Sequence, residues 1–300
     1  MKTRTRSLYL LTIIKRKEKT MITTVTKDEF ERSLPVGTSA QDNVYEMVLP
    51  EIEGQIAFLS NNLLGPEGIK TVESAGEESI LHKKFVALAS VSAFLSVFRQ
   101  LDLVLTPTGF GVVSNDNVSP ASKQRVDALE QQLKVKLLVD KAHVLNSLRS
   151  KEWGETIQAK RNIPTLFDEY EFFIMRRVNG LTAEEWLKLQ QPIMDADMFL
   201  RRKISDKQMD VLMAYYRTNN VDEMGKHADA LLAIRNFFHV WLFTGQREAV
   251  AFPLRKLLSI LESSKNIDLY DEYLNSEAYK VNHHEVFHNT KDSTAFFFNG

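Results

Sequence analysis

His284-Glu285-Val286-Phe287-His288 is the stretch whose residue types and spacing come closest to chemistry. It matches H-E-x-x-H, in which two histidines one helical turn apart hold zinc and the glutamate serves as base. That chemistry requires a helix, and the surrounding "YKVNHHEVFHNT" is rich in β-branched, aromatic and Asn residues. It also requires a third ligand. Of the residues after His288 only Asp292 could serve, and the Gly-x-x-His continuation is missing. His82, His143, His227 or His239 could supply the third ligand from upstream. The favoured reading of His284, Glu285 and His288 is a chance match in a polar strand at a surface or subunit contact, so no metal and no catalytic residue is expected.

The second place where chemistry could sit is "LDLVLTPTGFGVV", residues 101–113. A dinucleotide fingerprint requires a third glycine three positions past Gly111, opening a helix; that position is Ser114. A phosphate loop requires Gly-Lys-Ser or Gly-Lys-Thr, but Gly225-Lys226 is followed by His227. Neither a Gly-x-Ser-x-Gly elbow nor a kinase motif set occurs, so no cofactor is expected. The segment reads instead as structure. Leu101 to Leu105 can run extended, and Pro107 then breaks the run by fixing φ and removing a donor. Gly109 and Gly111 permit backbone angles closed to other residues, and Phe110 between them can anchor the loop. A buried turn or a contact between subunits is favoured over a small-ligand site. The acid pairs Asp195/Asp197 and Glu184/Glu185 are expected to face solvent. Arg201-Arg202-Lys203 is expected to be a solvated face or to meet an acidic neighbour, and Trp186 and Trp241 to lie in the core.

These segments are carried by a chain of 300 residues, 44% hydrophobic and 26% charged, with no cysteine. That length buries a real core without staples, and disulfides, thiolate metal sites and a cysteine nucleophile are excluded. The net charge of −1 hides an asymmetry. Residues 1–20 hold seven bases against Glu18 alone, and the remainder carries 31 bases and 38 acids, a net of −7. A mildly acidic body has the wrong sign for a general nucleic-acid binder. Residues 1–20 read as a loose basic tail or start-site extension ahead of Met21. "SLYLLTII" runs straight into Lys15-Arg16-Lys17 without a small-residue cleavage site and is too short to span a bilayer.

Helical spacing dominates the rest. Thr26 and Glu29 form a capping-box pattern. Val44, Val48, Ile52, Ile56, Leu59 and Leu63 recur at three- and four-residue steps, with a kink or restart expected at Pro50 and an end at Gly65-Pro66. Phe85 to Phe98 lacks charge entirely and reads as a central core helix. Ser119 is the expected N-cap, with Pro120 at the first position, of a helix running to about residue 150. Asn179-Gly180 ends the next helix, Thr182 and Glu185 open another, and Ser205 a shorter one. The last helix is expected from Val250 to Leu261. Val281, Val286 and Phe296-Phe297-Phe298 around "NTKDS" predict a short C-terminal hairpin. The chain is thus expected to be mainly α, a multi-helix bundle-like body with a small antiparallel β element near the C-terminus. The expected division is 1–20, 21–160 and 161–300.

The run from Leu105 to Asn115, followed by Pro120 to Lys123 and Arg125, resembles the signature of an uncharacterised family from phage and prophage structural gene clusters of Bacteroidetes. The resemblance covers about thirty residues, and the first twenty residues of the chain fall outside it. It implies a mostly helical, non-catalytic virion assembly protein, a head–tail connector or neck component, located in the virion and in the bacterial cytoplasm during assembly. Implied partners are copies of the chain in a ring, with portal and tail proteins; neither specific nucleic-acid binding nor a membrane is expected. A ring requires one patch to bind a different patch on the next copy. Phe296, Phe297 and Phe298 are candidates, because three adjacent residues of a strand cannot all face one core. The rival readings are a zinc-dependent hydrolase using the HEVFH motif and a helical bacterial scaffold unrelated to phage.

Overall fold

The structure, a computed structural model, describes residues 24–35, 43–101, 103–106, 109–112, 122–176, 180–244 and 247–283. It is mainly α. The residues pack as two units, Met1–Ile193 with Ala214–Val221, and Met194–Met213 with Asp222–Gly300. The break anticipated near residue 160 falls inside the first unit.

The first unit opens with α1, Lys27–Ser33. Its capping box is complete: the Glu29 amide donates to the Thr26 hydroxyl at 3.3 Å, and the Thr26 amide to the Glu29 carboxylate at 2.8 Å. Helix α2, Asn43–Leu59, runs unbroken through Pro50, so the expected restart does not occur. An interior proline costs about 3 kcal/mol. Val48, Ile52 and Ile56, buried on both sides of it, offset that loss. Nor does the helical run stop at Gly65-Pro66. A π turn, Ser60–Leu64, leads into α3, Gly65–Ala75, with Gly65 at φ +62° and Pro66 in its first turn. Glycine takes that left-handed angle without a Cβ penalty.

Helix α4, Ile80–Val97, is the core element that its uncharged sequence predicts. Phe85, Val86, Ala89, Val91, Ala93 and Phe94 are all buried. Phe94 meets Phe30 edge-on at 6.2 Å, and Phe30 tilts against Tyr45 at 5.8 Å. By length and composition the span Ile80–Gln100 could cross a membrane; 61% of its most apolar window is instead buried inside the protein. Two short strands follow, β1 Leu103–Thr106 and β2 Gly109–Val112, paired antiparallel. Helix α5, Lys123–Leu148, then runs for 26 residues. Its N-cap is Ser122, three residues later than the Ser119 expected.

Short helices α6 (Lys151–Gly154), α7 (Ile157–Asn162) and α8 (Glu169–Arg176) complete this part. Trp153, which the sequence left unassigned, is fully buried, and its indole N–H donates to the Leu64 carbonyl at 2.9 Å. Gly154 lies so close to the backbone of Arg217 that a Cβ there would meet its carbonyl oxygen at 2.5 Å.

Helices α9 (Ala183–Lys203) and α10 (Asp206–Thr218) contribute to both units. The second unit adds α11 (Val221–Lys226), α12 (Ala228–Phe243) and α13 (Ala251–Leu261). Ala196, Leu200, Met209, Leu212, Ile234, Phe237 and Leu257 are buried in this unit. Trp241 is half-buried rather than fully enclosed, 5.2 Å from Phe199 and 5.6 Å from Phe237. Leu261 does not end the helices: α14 (Asp271–Leu274) and α15 (Glu277–Asn282) follow. They are tied down by the Tyr273 hydroxyl on Glu262 at 2.7 Å and by the Ser276 hydroxyl on the Ile204 carbonyl at 3.2 Å.

The expected C-terminal hairpin is corrected in part. Val281, assigned to a strand, sits in α15, where the Ser276 hydroxyl caps the first turn. Residues 284–300 lie outside the described residues. Among the described residues the only strands are β1 and β2, in the middle of the chain.

Candidate functional site

The signature segment folds back on itself. Leu103 pairs with Val112, Val104 with Gly111, Leu105 with Phe110 and Thr106 with Gly109. Two residues, Pro107 and Thr108, therefore separate the closing pair, the shortest common hairpin connection. The expected break after Leu105 is thus a chain reversal, and Gly109, Phe110 and Gly111 are strand residues, not a loop. Pro107 and Pro120 lie outside the described residues, as do Phe296, Phe297 and Phe298. No third strand joins the ribbon among the described residues. Each strand has only four residues, and a two-stranded ribbon is marginal by itself in water.

A second feature was not visible in the sequence. α4, α5 and the start of α9 wall an open groove of about 790 Å³, with Val135, Val139 and Leu181 on its apolar side. At its edge Asp140 is buried to 1% side-chain exposure, with the Lys84 ammonium at 2.6 Å and the Lys136 ammonium at 2.7 Å on its two oxygens. Lys136 is local, one turn before Asp140 on α5; Lys84 arrives from α4, 56 residues away. One turn after Asp140, burial and then the Lys84 ammonium push the His143 pKa down from its ordinary value. The Thr182 hydroxyl accepts from the Glu185 amide at 3.2 Å, as the sequence pattern predicts, while the Glu185 carboxylate takes Arg176.

A third polar cluster is structural. Asp168 caps α8, accepting the amides of Tyr170 at 3.0 Å and Glu171 at 3.1 Å. Its other oxygen accepts the Tyr216 hydroxyl at 3.2 Å. The Arg149 guanidinium lies 3.8 Å from the centre of the Tyr216 ring, and its Nε–H donates to the Tyr216 carbonyl at 2.7 Å. Burial, with Glu169 and Glu171 adding like charge, pushes the Asp168 carboxyl up to about 6.

In the second unit one charge expectation is overturned and one is met in its second form. Asp197, expected in solvent, is 4% exposed. Arg201, expected on a solvated face or against an acid, gathers Asp197 at 2.7 Å, Asp210 at 2.8 Å and Asp206 at 3.6 Å. The side-chain roles there are local fastening, since Arg201 links the end of α9 to the start of α10. Among the described residues no group of three His, Asp or Glu is placed to hold a metal. His284, Glu285 and His288 lie outside them.

No curated protein and no solved structure matches the chain. Residues 44–163, which run from α2 through α7 and enclose both the hairpin and the two lysines on Asp140, match a family of unknown function (DUF6712).

Proposed function

We propose that this chain is a non-catalytic assembly protein of a phage or prophage particle, a head–tail connector or neck component that assembles as a ring with copies of itself and meets portal and tail proteins. It would reside in the virion and, during assembly, in the bacterial cytoplasm. The reading rests on the resemblance of Leu105–Asn115, Pro120–Lys123 and Arg125 to the phage-associated signature. The observation that carries it is the form this signature takes: a ribbon of two four-residue strands with no third strand among the described residues. Strand edges pair readily with another chain, and one ring contact could form there. The Phe296–Phe298 block remains the second candidate contact.

The test is native mass measurement and electron microscopy of the full chain, alone and with a portal protein. A closed ring supports the proposal. In a ladder beginning at the Thr106–Gly109 pair, hydrogen-bonded pairs alternate with pairs whose amides point outward. By that alternation Val112 offers its amide to a neighbour, and proline is tolerated at such an edge position. Val112→Pro should therefore leave the helical content intact and break the ring. A chain that stays monomeric with and without portal, or a ring indifferent to both Val112→Pro and Phe297→Ala, overturns the reading.

A further inference from the structure

A buried carboxylate needs one counter-charge; Asp140 has two. Lys84 and Lys136 contact its separate oxygens at 2.6 and 2.7 Å, and their side chains are only 32% and 28% exposed. One ammonium neutralises the carboxylate. The other is a positive charge that Asp140 does not require, carried on a half-buried side chain at the edge of a groove walled by Val135, Val139 and Leu181. Such spare positive charge beside apolar surface favours an anion with an apolar body, since that ligand covers the wall and adds hydrogen bonds to the ammoniums. The groove's volume of about 790 Å³ lies within the range of small-molecule sites. Glu184 stands exposed on the rim, where it disfavours a dianion more than a monoanion.

We propose that the groove between α4, α5 and the start of α9 binds a monocarboxylate carrying an apolar chain or ring, with the carboxylate bridging Lys84 and Lys136 opposite Asp140. This does not depend on the assembly reading. The carboxylate accepts one N–H from each ammonium, using donors that Asp140 leaves free, and the apolar body lies along Val135, Val139 and Leu181. No covalent step is involved.

The experiment titrates the full chain with octanoate below its micellar concentration. Binding is followed calorimetrically and through the Cε signals of isotopically labelled lysines. The expected result is saturable binding that shifts Lys84 and Lys136. Octylamine, with the same apolar body and the opposite charge, should bind at least tenfold more weakly, and inorganic phosphate should produce no comparable shift. Lys136→Met keeps the apolar stem and one partner for Asp140, and should weaken octanoate at least tenfold. Should Lys136→Met unfold, Val135→Trp decides: it fills the apolar wall, leaves the ion pairs in place, and should weaken binding to the same degree. Octanoate that leaves both lysines unshifted, octylamine binding as tightly, phosphate shifting the lysines as strongly, or affinity unchanged in Val135→Trp would each overturn the proposal.

Discussion

Asp168 accepts the Tyr216 hydroxyl at 3.2 Å while its other oxygen caps α8, so a single buried carboxylate ties the start of one helix to a residue 48 positions away. Its pKa is pushed from 3.8 up to about 6, first by burial. A raised carboxyl pKa means that the folded state holds the proton more tightly than the unfolded state. The contribution to stability is therefore fully present below about pH 4 and is lost as pH rises through about 6, by about 3 kcal/mol for a shift of this size. Asp168→Asn keeps an oxygen for the cap amides, places an amide N–H that can donate to the Tyr216 hydroxyl where the second oxygen was, and removes the charge. Chemical denaturation should find the variant about 2 kcal/mol more stable than wild type at pH 7.5, and the two should converge near pH 4. A variant less stable at pH 7.5, with the same pH slope as wild type, would contradict the burial argument.

Gly154 is required by proximity, since a Cβ there would meet the Arg217 carbonyl oxygen at 2.5 Å and its carbonyl carbon at 2.7 Å. Both are backbone atoms, which cannot rotate away as a side chain would. Gly154→Ala should cost about 2–3 kcal/mol by forcing the two backbones apart, visible as a lowered thermal midpoint. Gly54→Ala is the control, because a Cβ at Gly54 meets nothing within 4 Å and the residue lies mid-helix. That substitution should stabilise by about 0.5–1 kcal/mol.

Ser90 is fully buried on α4, and its hydroxyl has no hydrogen-bond partner among the described residues. Leaving a buried hydroxyl unsatisfied costs about 1–3 kcal/mol. Ser90→Ala should therefore raise stability by about 1 kcal/mol, with a further gain from helix propensity. A loss of stability on this substitution would show that the hydroxyl is satisfied after all.

Zinc chemistry at His284, Glu285 and His288 is expected to be absent. Elemental analysis of the purified chain should find no stoichiometric zinc. Zinc at one equivalent that disappears in His284→Ala would show a metal site at this motif and contradict the expectation.

Local signals in the sequence coincide with the structure. The Thr26 and Thr182 caps and the apolar helix Ile80–Val97 all occur where their patterns place them. Caps and stripes involve residues within one or two turns, so neighbours in sequence settle them. Where sequence and structure differ, the deciding contact is not written in the local pattern. Ser119 and Ser122 are equally good caps by type, and choosing between them takes the structure. Pro50 reads as a breaker until the burial of Val48, Ile52 and Ile56 is known. Val281 fits a strand until Ser276, capping the turn before it, is seen to open a helix.

The sequence by itself determined a mainly helical chain without thiol chemistry, with its main helix starts and a Pro- and Gly-punctuated break after Leu105. Tertiary structure alone decided where charge is buried. Asp197 and Asp140 look like ordinary surface acids, yet one lies beneath Arg201 and the other between Lys84 and Lys136. The physical reason is range. Helix periodicity is written within a few residues, whereas a carboxylate leaves water only where cations or hydrogen-bond donors meet it, and for Asp140 one of its two cations comes from 56 residues away on another helix.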